Sequence, residues 1–139
     1  MARHSVVLVR QWDQQMGGSG CCGRLDGEAI GVLGAAGAED PYAHCRDDME
    51  RTGAVYRALR ERFADDEVEL TVADPRNTAW LLPAVWRAAR RRGLPWRVAA
   101  RQVVAATGAT ALVCDGLVLG RDVTPEQAVA AVEADLAAR

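Results

Sequence analysis

Lysine is absent from the 139-residue chain, and all 17 basic residues are arginine. A Walker-type phosphate loop needs a lysine that reaches the phosphates, and a Schiff base needs a lysine amine. Both kinds of chemistry are therefore excluded. The 19 acidic residues bring the net charge to −2, so the whole chain has no general attraction to nucleic acid or to a membrane surface.

Long apolar runs are also missing. The four consecutive apolar residues Val6 to Val9 are too few for the core of a secretory signal. No run approaches the roughly 20 apolar residues that span a bilayer. We therefore expect one domain over residues 1–139, a cytoplasmic location and no membrane partner. Because cytoplasmic thiols stay mostly reduced, the four cysteines suggest catalytic, metal-binding or core roles before structural disulfides.

Hydrophobic periodicity in the first two thirds predicts strands and helices in alternation. Residues 5–12 and 67–74 have the composition of short strands. Asp40 and Pro41 are typical of a helix start, and Asn77 is expected to cap a second helix that stops at Gly93. The first helix should run for about six turns. Its apolar stripe is Tyr42, Cys45, Met49, Tyr56, Leu59 and Phe63.

The last third contains the clearest local signals. After a further helical piece ending at Gly108, for which a strand is the alternative, Asp115-Gly116 predicts a β-hairpin. Thr124 and Gln127 form the pattern of a capping box, with proline at the first helical position. The inner stripe of this last helix is expected to be Val129, Val132 and Leu136.

Two stretches carry a resemblance to a known family: DPRNTAWLLPAVWRAARRRG and ATALVCDGLVLGRDVTPEQAVAAVEADL. The order of predicted elements, β-α-β-α-β-β-α with one additional helical piece, resembles the thioredoxin-like fold. The first stretch and the VTPEQ helix start are similar to thioredoxin-like [2Fe-2S] ferredoxins. The resemblance implies an α/β domain with a central mixed sheet and a long glycine-rich loop after the first strand.

The chain departs from that family at the residues that carry its chemistry. Thioredoxin-like oxidoreductases usually carry C-x-x-C between the first strand and first helix, and this chain has none. They usually have a cis-proline before the third strand, and Thr110 stands at about that place. The ferredoxins imply four cysteines spread over two loops, whereas Cys114 falls within the hairpin strand. The resemblance therefore implies neither the complete disulfide-exchange site of the oxidoreductases nor the complete cluster site of the ferredoxins.

Cys21 and Cys22 are adjacent within the glycine-rich stretch GGSGCCGRL. They lie on no periodic apolar face, and a disulfide between neighbours closes a strained, easily reduced ring. Two adjacent thiolates suit a soft metal ion or oxidation chemistry, and Arg24 can lower the pKa of a nearby thiol. The alternative is a pair without function on a loop.

The other two cysteines lie within predicted elements. Cys45 shares the apolar stripe of the first helix with Tyr42 and Met49, which favours packing. It also falls in the first helical turn, where the helix dipole and free N–H groups stabilise a thiolate. Both interpretations stay open. Cys114 lies in the apolar run ATALVC and is expected to be buried in the core.

These cysteines support two functional hypotheses. The first is thiol–disulfide exchange with a protein partner, by Cys21 or Cys22 together with Cys45, which would make the protein a thiol-disulfide oxidoreductase. The second is binding of a soft metal ion or a [2Fe-2S] cluster by the same three cysteines, aided by His44 or a partner chain. Adjacent ligands fit a standard cluster poorly.

A third hypothesis is a non-enzymatic interaction module that uses the segment Arg87–Arg101. Arginines interleaved with tryptophans suit an acidic protein partner, and a solvated helix face is the alternative. Nucleic acid is disfavoured because the chain as a whole is not basic, and a homodimer stays open. The residues concerned are Arg87, Arg90, Arg91, Arg92, Arg97, Arg101, Trp86 and Trp96.

Overall fold

The computed structural model describes residues 3–10 and 43–139, with residues 43–46 described by their backbone alone. The glycine-rich stretch and the predicted helix start at Asp40 and Pro41 lie outside this part of the chain. The described elements, in order, are β1 His4–Val9, α1 Ala43–Arg62, β2 Val68–Ala73, α2 Thr78–Arg91, α3 Trp96–Ala106, β3 Ala111–Cys114, β4 Leu117–Arg121 and α4 Pro125–Ala137.

The four described strands form one mixed sheet in the order β2-β1-β3-β4. β1 pairs in parallel with β2, from His4 opposite Val68 to Val9 opposite Ala73. It pairs antiparallel with β3, which in turn pairs antiparallel with β4. The predicted α/β class with a mixed sheet is confirmed. β1 ends at Val9, earlier than the predicted residue 12.

Two apolar layers pack on opposite faces of the sheet, because successive strand residues point to opposite sides. Val6 and Leu8 face α1 and α4, whereas Val7 and Val9 face α2 and α3. This places β1 at the centre of the molecule, buried on both faces. The prediction of a helical piece before Gly108 is confirmed as α3, and its strand alternative is wrong; this helix supplies Ala106 to the second layer.

The buried face of α1 differs in part from the predicted stripe. Val55, Leu59 and Phe63 lie in the core, and Tyr56 packs against it. The prediction was wrong for Met49, whose exposed fraction is 37%. Met49 lies about 20° around the helix from Tyr56, but nearly two turns before Val55, the first described α1 residue in the core, so its position along the helix and not its face sets it apart.

The local signals of the last third are confirmed. Asp115 and Gly116 have φ values of 43° and 78°, and this pair of positive angles is what a tight hairpin turn requires. Thr124 Oγ1 accepts a hydrogen bond from the Gln127 N–H at 3.2 Å, and Gln127 Oε1 accepts one from the Thr124 N–H at 3.0 Å. By contrast, the Asn77 side chain makes no capping hydrogen bond. Its carbonyl accepts from Leu81 at 2.9 Å instead.

Within the described ranges, none of the helices is long and apolar enough to cross a bilayer.

Candidate functional site

The carboxyl end of β1 is the sheet edge from which the segment joining β1 to α1 departs. Two hydrogen bonds of 2.8 Å extend the pairing here, from the Arg10 N–H to the Ala73 carbonyl and from the Thr110 N–H to the Val9 carbonyl. We call this region the β1 carboxyl edge. Parallel sheets commonly place their sites at such an edge.

A shallow hollow opens at the β1 carboxyl edge between the sheet and α1. Its lining includes Leu8, Val9 and Thr110 from the sheet side and Thr52 and Val55 from α1. On its rim Arg51 Nη1 donates to Asp122 Oδ1 at 3.3 Å, and both side chains are largely exposed. Arg51 is the ninth residue of α1, so the middle of this helix lines the hollow and its first turn lies about two turns further along the helix axis.

Thr110 adopts an unusual backbone conformation beside this hollow. Its φ is 66°, a left-handed value that is a genuine outlier for a β-branched residue. Its Oγ1 donates to the Ala109 carbonyl at 2.5 Å and accepts from the Asp122 N–H at 3.3 Å. Where the resemblance implies a cis-proline, the structure has this strained threonine, and the described residues contain no cis peptide bond. Such outliers cluster at functional sites.

Thr110 provides a direct test of that strain. We expect Thr110→Gly to be more stable than Thr110→Ala by about 1 kcal/mol, because glycine adopts a positive φ without steric cost and alanine does not. Both variants remove the hydroxyl, so their difference isolates the backbone. Urea denaturation of the two proteins measures it. Equal midpoints would show that Thr110 is not strained in solution.

The sequence-predicted cysteines are distributed as follows. Cys45 is the third residue of α1, and its backbone therefore lies in the first turn of that helix. The side chains of Cys45 and His44 are not described, and Cys21 and Cys22 lie outside the described residues. Within the described ranges no three His, Cys, Asp or Glu side chains are grouped to hold a metal ion.

Cys114 is buried as predicted, with no exposed surface. It pairs with Val6, and the following Asp115 N–H donates to the Ser5 carbonyl at 2.8 Å, which places it toward the amino end of β1. Burial first, and then the nearby Asp115 and Asp135, raise the pKa of the Cys114 thiol to about 12, although Arg139 opposes them. Cys114 is consequently a packing residue and not a reactive thiol.

This location of Cys114 also bears on the ferredoxin-like alternative. A [2Fe-2S] cluster is normally held by four thiolates. Cys114 is protonated, buried and at the end of β1 opposite to the start of α1. Only Cys21, Cys22 and Cys45 remain, so one chain does not supply an all-cysteine ligand set. The residues present do not fit such a cluster.

An ion-pair cluster that the sequence did not predict surrounds Cys114 at the amino end of β1. Arg92 donates to both oxygens of Asp135 at 2.8 and 2.5 Å, and Arg139 donates to Asp135 at 2.6 Å. Arg139 also pairs with Asp115, whose Oδ2 lies 2.8 Å from His4 Nδ1. We call these five residues the amino-end cluster. Apart from the i,i+4 pair Asp135 and Arg139, its members are far apart in sequence, so no local pattern reveals the whole cluster.

The electrostatics of the amino-end cluster indicate a structural role. Burial alone would raise the pKa of Asp135, but hydrogen bonds from Arg92 and Arg139 outweigh it and lower that pKa to about 2. The pKa of Asp115 is lowered in the same way by the Ser5 N–H, His4 and Arg139 against the effect of burial. The cluster joins β1, the hairpin turn and the ends of α2 and α4.

These observations define a mixed α/β domain with a strained sheet edge beside the middle of α1. No family model, curated protein or solved structure matches the chain. Its function is therefore inferred from its own residues.

Proposed function

We propose that this is a thioredoxin-like protein that exchanges thiols and disulfides with a protein partner in the cytoplasm, using Cys45 with Cys21 or Cys22. One observation carries the proposal. α1 begins at Ala43, so Cys45 is in its first turn, nearly two helical turns before Arg51, which lines the hollow at the β1 carboxyl edge. The chain segment that bears Cys21 and Cys22 leaves the sheet at this same edge, after Val9.

The arrangement of elements supports the thioredoxin-like part of the proposal. A parallel strand-helix-strand unit, two helices, a hairpin antiparallel to β1 and a final helix follow one another in the order that the resemblance implies. The additional helix α3 packs beside α2 and extends the same layer.

The first turn of a helix favours the ionised form of a thiol, because unpaired N–H groups and the helix dipole stabilise the thiolate. In the proposed reaction one thiolate attacks a sulfur of the partner's disulfide. A mixed disulfide forms and the partner's other sulfur leaves as a thiolate. The second cysteine then attacks the mixed disulfide, which oxidises this protein to an internal disulfide and releases the partner reduced.

Thiol reactivity tests the proposal. We expect the reduced protein to reduce a chromogenic aryl disulfide, and Cys45→Ser to slow this at least about tenfold, since the first turn of α1 favours the ionised form of the Cys45 thiol. Labelling with a mass-shift reagent before and after reaction counts the oxidised thiols. Cys114→Ala is the control and should react like the wild type, because its thiol is buried and protonated.

Three results would contradict the proposal. They are inert thiols in the native protein, an unchanged rate in a Cys22→Ser/Cys45→Ser double variant, and a purified protein that contains stoichiometric metal. Anaerobic purification with an absorption spectrum, metal analysis and thiol count on one sample separates redox chemistry from the metal-binding alternative.

A further inference from the structure

Charge is strongly segregated along the chain, and one helical layer falls in a stretch whose charged residues are all basic. Residues 75–114, which include α2, α3 and β3, hold seven arginines and no acidic residue. The rest of the chain holds ten arginines and all 19 acidic residues. The helical layer formed by α2 and α3 is therefore basic on a chain whose net charge is −2, and composition averaged over the chain conceals it.

The basic side chains occupy the outer faces of α2 and α3. One face of α2 is buried in the core through Leu81, Val85 and Ala89. The exposed residues recur on the opposite face at helical spacing. α3 buries Ala99 and Ala106 in the same manner. We call the exposed set the Arg–Trp surface: Trp80, Trp86, Arg87, Arg90, Arg91, Trp96, Arg97, Arg101 and Val104.

Within residues 3–10 and 43–139, no ion pair neutralises the exposed arginines of this surface. Arg92, which the sequence placed with them, is instead paired with the buried Asp135, and Arg76 is paired with Asp74. No carboxylate in the described part of the chain forms an ion pair with the five exposed arginines. Arg87 and Arg90 donate to the Pro83 and Leu94 carbonyls, which leaves their charge uncompensated.

Large apolar side chains stand among these charges. Trp96 is 61% exposed and Val104 72% exposed, and Trp80 and Trp86 are exposed as well. Arg97 stacks over the Trp96 ring at 5.3 Å from its centroid. Tryptophan and arginine are the residues most enriched among those that dominate binding energy at protein interfaces.

We propose that the Arg–Trp surface docks an acidic protein segment that presents carboxylates to the arginines and an apolar side chain to Trp96. Bidentate pairing with carboxylates suits the guanidinium group, which is the only strong cation in this chain. A short acidic segment covers only this layer. A long polyanion such as nucleic acid would also meet the field of the 19 acidic residues located elsewhere. The docking does not depend on the proposed thiol chemistry.

A fluorescence anisotropy titration tests this docking. The probe is a fluorescein-labelled amphipathic peptide of glutamate, aspartate and leucine. We expect saturable binding that weakens with added salt, and a Kd at least about tenfold higher for Arg90→Glu/Arg91→Glu. Trp96→Ala is expected to weaken binding without changing its salt dependence, because it removes an apolar contact and no charge.

The matched control is Arg57→Glu/Arg60→Glu, which changes the net charge equally on the exposed face of α1. It should leave the Kd within about twofold of the wild type. Far-UV circular dichroism verifies the helices of each variant. If the charge reversal unfolds the protein, the Kd of Trp96→Ala for the peptide tests the docking surface instead.

The proposal is overturned if the wild type does not bind the peptide or if the control weakens binding as much as the surface variant. It is also overturned if labelled oligothymidine of equal charge binds more tightly than the peptide. Finally, a dimer that Arg90→Glu/Arg91→Glu converts to a monomer in gel filtration would assign the surface to a second copy of the chain.

Discussion

Replacing Gly116 by alanine is expected to lower the free energy of unfolding by about 3 kcal/mol or more. An added Cβ would lie 2.2 Å from the Ala89 nitrogen and 2.7 Å from both the Ala89 Cα and the Val85 carbonyl oxygen. These atoms belong to the backbone of α2, whose buried face holds it on the sheet. The φ of 78° adds strain for any residue with a Cβ.

Gly93→Ala is the matched control for this prediction. Gly93 has a φ of 90°, but nothing lies within 4 Å of an added Cβ. Only the conformational cost remains, about 1 kcal/mol. Urea denaturation of both variants measures the difference. Equal losses would mean that the hairpin turn does not pack against α2 as the structure shows.

Asp135→Asn is expected to lower the free energy of unfolding by about 3 kcal/mol, the lower end of the range for breaking a buried ion pair. The Asp135 side chain is 6% exposed and pairs with Arg92 and Arg139. These arginines are 18% and 26% exposed, so water partly compensates their lost pairing and the loss of stability stays near the lower end. Asparagine has the same shape, so the change removes charge without leaving a cavity. Arg92 and Arg139 would then face each other without their shared anion.

The pH dependence of this loss has a definite sign. The pKa of Asp135 is about 2 in the folded protein against an ordinary value of 3.8. The unfolded chain therefore binds the proton first as the pH falls, and the stability from the ionised carboxylate is lost between about pH 4 and pH 2. The gap between wild type and Asp135→Asn should narrow across that window in urea titrations.

Asp122→Asn is the control for both the loss of stability in Asp135→Asn and the pH dependence of that loss. Asp122 pairs with Arg51, but its side chain is 65% exposed, and exposed pairs contribute between 0 and about 1 kcal/mol. A gap between the wild type and Asp135→Asn that stays constant down to about pH 2 would contradict the assigned role of Asp135.

Elements with a complete local signal were predictable. The hairpin turn at Asp115-Gly116 and the capping box at Thr124 each depend on neighbouring residues, and both are confirmed. The placement of Cys45 near the start of α1 also follows from local signals, while the predicted helix start at Asp40 and Pro41 lies outside the described residues. The joint action of Cys45 with Cys21 or Cys22 stays a prediction.

The sequence by itself determined the order of strands and helices, because hydrophobic period, turn residues and caps act over a few neighbours. Only the tertiary structure decided that Arg92 pairs with Asp135 instead of facing solvent, that Met49 misses the core, and that Thr110 is strained beside the hollow that α1 lines. Each of these features depends on how α1, α2 and α4 pack on the sheet. That packing brings together residues from distant parts of the chain, which no local pattern encodes.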